Sequence, residues 1–149
     1  MILVDANVLV YAVAEDSPFH RLASQWLTSR LNGKARVGLP WPSLLAFVRI
    51  ATNPRVSEQP LSAEVAWRHV TDWLACAPAW VPNPTQRHAE VLGSLVARYL
   101  PTGNLVPDAH LAALAIEHGL TVCSADTDFA RFTEVRWVNP LAAATPMNT

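Results

Sequence analysis

Lysine is nearly absent from this chain. Lys34 stands alone among eleven basic residues, and the other ten are arginine. Twelve acidic residues leave a formal net charge of −1. That balance argues against a protein whose whole surface binds nucleic acid, because such a domain is usually strongly basic. It leaves room for a local basic patch beside an acidic pocket. Arginine suits bidentate phosphate contacts better than lysine does, although arginine-for-lysine usage also follows genome composition. Cysteine is scarce too. Cys76 and Cys123 stand far apart and show no metal-ligand spacing. In a reducing compartment they read as buried thiols and not as a disulfide. No apolar run is long enough to span a bilayer. No basic region precedes the apolar N-terminus, as it would in a signal peptide. The expected location is therefore the cytoplasm. Internal repeats, linkers and low-complexity segments are also missing.

What remains is a chain of 149 residues, 51% of them hydrophobic, with a mean hydropathy of +0.17. That length fits one domain with a real core. The apolar excess fits a buried sheet with apolar helices, or a hydrophobic partner interface. Ile2-Leu3-Val4 reads as a strand buried on both faces. Val8–Ala14 reads as a buried helix, and Pro18–Leu31 as a second helix with Ser17 as its cap and an apolar stripe of Leu22, Ala23, Trp26, Leu27 and Leu31. Arg36–Leu39 is a short strand. Leu44–Thr52 is a helix closed by Asn53-Pro54. Ser62 caps a fourth helix and Thr85 a fifth, with a brief strand at Trp80-Val81 between them. Pro101–Pro107 reads as a loop that delivers Asp108 to the start of a sixth helix, Ala109–His118, closed by Gly119. Leu120–Cys123 and Val135–Val138 complete the strands, and residues 142–149 read as a frayed tail behind a domain of residues 1–141. Strands alternating with helices predict an α/β fold, with a mainly parallel sheet and helices on both faces.

Four carboxylates fall at one end of that sheet. Asp5 ends the first strand, Asp126 and Asp128 follow Leu120–Cys123, and Asp108 begins the helix ahead of that strand. In open α/β sheets, ligands bind beyond the carboxyl ends of the strands. A carboxylate cluster repels itself unless a cation neutralises it, and oxygen-only ligands point to Mg²⁺, with Mn²⁺ as a substitute. Such a site suits phosphodiester hydrolysis. Asn7 and Ser124 are placed to hold Asp5 and Asp126 or a bound water. Each acid also has a structural reading: Asp5 as a helix cap, Asp108 as a partner of a helix dipole, Asp126 and Asp128 as turn residues. Their joint placement favours the metal site. Arg49 and Arg55 are the candidates for phosphate contacts. Trp26, Trp67 and Trp73 read as core or interface residues, whereas Trp41 and Trp80 lie in Pro-rich stretches and are freer to touch a partner.

The segments Ile2–Asn7, Pro107–Ala115 and Ser124–Phe132 resemble those of PIN-domain ribonucleases, and within them the VapC toxins of bacterial type II toxin–antitoxin pairs. The resemblance spans nearly the whole chain. It implies a PIN fold, Mg²⁺-dependent endonucleolytic cleavage of a structured RNA such as tRNA or rRNA, a homodimer, and inhibition by a VapB-type antitoxin. It implies Asp5, Asp108 and Asp126 as metal-binding acids, Asp128 in support, and Asn7 and Ser124 as polar helpers. An apolar groove among the first four helices would suit the antitoxin. In one respect the chain departs from the family. The glutamate usual in the third helix falls near Ala46, and Ser43–Arg49 holds no acid. Glu117 is too far along its helix to replace it. One-metal and two-metal schemes both stay open, and so does a catalytically degraded module that binds RNA or a partner without cutting. A phosphohydrolase with Asp5 as nucleophile ranks lower, because Asn7 stands where such enzymes carry a second Asp.

Overall fold

A computed structural model describes residues 1–142. The tail from residue 143 on, which the sequence reading frays, lies outside the described residues. Five strands form one all-parallel sheet in the order β3-β2-β1-β4-β5. They are β1 (Ile2–Val4), β2 (Val37–Gly38), β3 (Ala79–Trp80), β4 (Thr121–Cys123) and β5 (Trp137–Val138). The helices are α1 (Ala6–Val13), α2 (His20–Leu31), α3 (Trp41–Ala51), α4 (Ala63–Leu74), α5 (His88–Tyr99) and α6 (Leu105–His118), followed by a short 3-10 helix, Thr127–Arg131.

Strand periodicity divides the core into two. Ile2 and Val4 of β1 point into a cluster with α1 to α4, while Leu3 points into a cluster with α5 and α6. The neighbouring strand does the same, with Cys123 in the first cluster and Val122 in the second. This is the doubly covered parallel sheet that the continuous apolar runs predict. Helix α6 buries six of its residues, Ala109 and Leu111–Ala115. Its apolar composition on nearly every side follows from being packed between α5, β4 and the 3-10 helix. Gly119 ends it at φ +68, a conformation that side chains with a Cβ rarely adopt. Gly38 is required for another reason. A Cβ there would stand 3.0 Å from the Ile2 carbonyl oxygen and 3.2 Å from Pro82.

Element ends differ from the sequence reading in ways the caps explain. Asp5 caps α1 directly, so the helix starts at Ala6 and not at Val8. Ser17 does not cap α2. Its Oγ accepts from Phe19 N–H, and its carbonyl closes a turn onto His20 before the helix begins. Helix α3 begins at Trp41, because Pro42 fits a first turn whose N–H groups have no partners. Pro107 likewise lies inside the first turn of α6, so the helix starts at Leu105 and Asp108 sits within that turn. Thr85 does not cap α5. Its carbonyl closes a turn onto His88, where the helix starts. Ser62 caps α4 as expected, accepting from Val65 N–H at 3.1 Å. Trp80 is not free either, since it belongs to β3 and lies under the Arg36 guanidinium. Trp67 is 46% exposed and stacks on the exposed Trp41, so it is no core residue. Both cysteines are free thiols, and burial pushes that of Cys123 up to about 11. Among the described residues, no helix is long and apolar enough to cross a membrane.

Candidate active site

Adjacent parallel strands bring the acids together. Val4 of β1 pairs with Cys123 of β4, and Asp5 N–H donates to the Cys123 carbonyl at 3.0 Å. Asp5 and Ser124 therefore emerge side by side at the carboxyl edge. The Asp5 carboxylate divides its work. Oδ1 accepts from Ala6 N–H at 2.8 Å and caps α1, while Oδ2 accepts from the Ser124 hydroxyl at 2.7 Å and from Asn7 Nδ2 at 3.4 Å. The capping reading thus holds on one oxygen, while the other is engaged by Ser124 and Asn7.

Asn7 and Ser124 lock this end of the sheet. Asn7 Nδ2 also donates to Ser124 Oγ at 3.1 Å, and Asn7 Oδ1 accepts from Ala125 N–H at 3.2 Å. Ser124 is fully buried, and its Oγ accepts in addition from Asp126 N–H at 3.0 Å. Trp137 Nε1 donates to the Ser124 carbonyl at 3.0 Å and ties β5 to the same point. Asp126 caps the 3-10 helix by accepting from Asp128 N–H at 2.8 Å.

Ligand atoms of Asp108, Asp126 and Asp128 all lie within 4.8 Å of one another. Asp5 stands outside that trio, with both oxygens hydrogen-bonded, yet its charge raises Asp108, and the charge of Asp126 raises Asp5. The electrostatics are those of an under-compensated cluster. Burial, then Asp5, Asp126 and Asp128, push Asp108 up to about 7, and Arg131 alone offsets them. Burial also raises Asp5 above its ordinary value, against the hydrogen bonds from Ser124 and Ala6. The Asp108 carboxylate receives no hydrogen bond from the described residues. A hard divalent cation fits such a donor set, because it would supply the missing charge to oxygens that protein donors leave free.

The other expected residues lie elsewhere. Arg49 falls in the last turn of α3, remote from the carboxyl edge where that helix starts, and Arg55 follows in the exit loop. Glu117 is committed to other partners. It accepts from Thr85 N–H at 2.9 Å, from the Thr85 hydroxyl at 2.7 Å and from His88 Nδ1 at 2.6 Å. It is no substitute ligand. Ala46 is half-buried on α3 and brings no acid. The residue that sequence reasoning missed is Arg131, 3.6 Å from Asp128. Its spacing of three from Asp128 in a 3-10 helix was the available signal, since side chains at that spacing eclipse.

Two openings lie away from the acids. A groove of about 550 Å³ runs between α1, the end of α3 and the loop into α4, lined by Val13, Ile50, Val56, Leu61 and His69 among others. A second, of about 260 Å³, shares Ala12, Val13 and His69 with it and reaches α2. None of the four site acids lines either groove. The expected apolar groove among the first four helices is present.

A parallel sheet whose carboxyl edge gathers acids is suited to holding a hard cation there. The sequence profile of the PIN domain matches residues 2–135, and the chain belongs to that family. Within it, the relatives are VapC ribonucleases. Ribonuclease VapC37 of Mycobacterium tuberculosis is 50% identical over 143 residues, covering 95% of this chain and 99% of the relative. The chain accordingly belongs with the VapC-type members of the PIN-domain family. Solved structures agree in fold. VapC20 of Mycobacterium tuberculosis, described as a sarcin-ricin loop cleaving toxin, has a TM-score of 0.67 at 17% identity, over 91% of this chain and 99% of that one. A chain of VapBC2 from Rickettsia felis, bound to a promoter DNA fragment, has a TM-score of 0.64 at 18% identity, over 93% and 98%.

Proposed function

We propose that this chain is the toxin of a VapBC-type toxin–antitoxin pair, a Mg²⁺-dependent endoribonuclease that cuts a structured cellular RNA, tRNA or rRNA, at the Asp108–Asp126–Asp128 cluster. The observation that carries the reading is Asp108, a carboxylate with no donor among the described residues, within reach of Asp126 and Asp128 and pushed up to about 7 by burial and then by three neighbouring acids. Bound there, Mg²⁺ would activate a water and neutralise charge on the scissile phosphate. Mn²⁺ would serve the same oxygen ligands. Asp5 adds negative charge from behind the trio while its own oxygens hold α1 and Ser124 in place. Asn7 and Ser124 fix Asp5 and the backbone ahead of Asp126, so the cluster keeps its shape without a ligand. Arg49 and Arg55 would meet the RNA backbone only away from the cutting point.

The partner we assign is a VapB-type antitoxin, whose apolar segment would lie in the groove of α1, α3 and α4. We further propose that the toxin works in the cytoplasm as a homodimer. Induced expression of the chain beside Asp5→Asn tests the nuclease reading, with growth followed and total RNA sequenced for new 5′ ends. Growth arrest with discrete cuts, both lost in the variant, is expected. The absence of acid at Ala46 favours one alternative, a PIN module that binds RNA and has lost cleavage. RNA binding without cuts in either Mg²⁺ or Mn²⁺ would decide for it.

A further inference from the structure

The cation nearest the acids has no task in the scheme above. Arg131 ends the 3-10 helix that Asp126 caps, and its side chain eclipses that of Asp128. Its Nη2 lies 3.6 Å from Asp128 Oδ1, beyond hydrogen-bond length. The guanidinium makes no hydrogen bond to the described residues, and the two side chains are 43% and 47% exposed. Its five donors are therefore free to meet something else.

Other arginines are placed or engaged differently. Arg98 is held by Glu134 and Arg87 pairs with Glu90. Arg30 and Arg36 lie over the rings of Trp26 and Trp80. Arg136 precedes β5 and so opens onto the amino edge of the sheet. Among the described residues, Arg131 is the cation whose charge reaches the Asp108 carboxylate.

A divalent cation on Asp128 and the Arg131 guanidinium repel each other. The anion that satisfies both is a phosphodiester, which accepts from a guanidinium through two oxygens at once. We propose that Arg131 is a substrate-binding residue that takes a backbone phosphate of the RNA beside the carboxylate cluster, while Asp128 turns to the cation. This rests on the ribonuclease reading. In the absence of RNA, the loose Asp128 contact keeps Arg131 at the edge of the site.

The test is binding of a labelled RNA by the purified full chain across a salt series. Ca²⁺ replaces Mg²⁺ to hold back cleavage, and RNA integrity is checked on a gel. Wild type is compared with Arg131→Ala and Arg131→Lys. Arg131→Ala is expected to bind about tenfold more weakly at low salt, and its log–log salt slope to fall by about 0.7, one phosphate contact on a single strand. Arg131→Lys keeps the slope but binds more weakly than wild type, because the charge stays and the bidentate fork is lost. Calorimetric Mg²⁺ binding is retained in both. Thermal melting of both variants accompanies the binding series, and Arg131→Lys carries the test if Arg131→Ala does not fold. A wild-type slope in Arg131→Ala overturns the proposal, whatever the affinity. In Arg131→Lys, a lost slope or wild-type affinity overturns it too. A wild-type chain that binds no RNA at any salt overturns the ribonuclease reading itself, and the role of Arg131 with it.

Discussion

Asp108 shows how one side chain can couple stability to function. Its folded-state value, about 7, stands above the ordinary 3.8. A raised acid favours folding at low pH, where it is protonated in both states. That advantage is lost as pH climbs from about 4 to about 7 and the folded state must carry the charge. The metal-free chain should therefore melt at a lower temperature at pH 7.5 than at pH 5.5, and Mg²⁺ should raise the midpoint more at pH 7.5. Asp108→Asn should flatten both dependences and raise the metal-free midpoint at pH 7.5, while cleavage falls by at least about a hundredfold. Scanning calorimetry at the two pH values, with and without Mg²⁺, measures this. A wild-type pH dependence in the variant would remove Asp108 from the explanation. Asp5 was legible as a site acid because an acid directly after an apolar strand is costly unless something needs it. Its cap on α1 was legible as well; that Asp128, and not Asp5, would complete the trio with Asp108 and Asp126 was not.

At the scale of elements, single contacts decide how the helices stand on the sheet. Glu117 clamps α6 to the approach of α5 through three hydrogen bonds, and its side chain is 1% exposed. Those bonds hold its carboxyl below the ordinary range, against burial. Its contribution is present above the ordinary 4.5 and is lost as pH falls through the lower folded value. Glu117→Ala should cost about 2 kcal/mol by urea titration at pH 7. The folded variant should keep wild-type cleavage, and a large loss of cleavage at unchanged stability would return Glu117 to the site. Gly38 controls the approach of β2 to β1. Gly38→Ala places a methyl against the Ile2 carbonyl and should cost about 1–3 kcal/mol, readable as a lower urea midpoint. Helix periodicity made most of these elements legible. The three starts misplaced by a proline, α2, α3 and α6, were not, because a proline in a first turn looks the same in sequence as one in a loop.

Over the whole molecule, the proposed cutting site and the groove proposed for the antitoxin sit apart. The acids occupy the carboxyl edge of β1 and β4, and the large groove lies among α1, α3 and α4 without touching them. A partner in that groove can be lost without loss of the nuclease. Val56 lines the groove and is 64% exposed, so a charge there is tolerated by the fold. Val56→Glu should leave melting and RNA cleavage unchanged and weaken the complex with the antitoxin by about tenfold, a cost of about 1.4 kcal/mol. Calorimetry on the two purified proteins measures it, and undiminished affinity would move the antitoxin to another surface.

The sequence by itself determined the layered α/β fold, because apolar runs of strand length and amphipathic stretches have few ways to bury themselves together. It also placed Asp5, Asp108, Asp126 and Asp128 at one edge, since parallel strands all end on the same side. Only the tertiary structure decided how the four acids share the work. Distances between residues 5, 108 and 128 depend on strand pairing and helix packing, which local sequence does not encode. The same holds for Arg131, whose partner is chosen by the cap on its short helix, and for Glu117, whose length along α6 becomes a clamp only once α5 is packed against it.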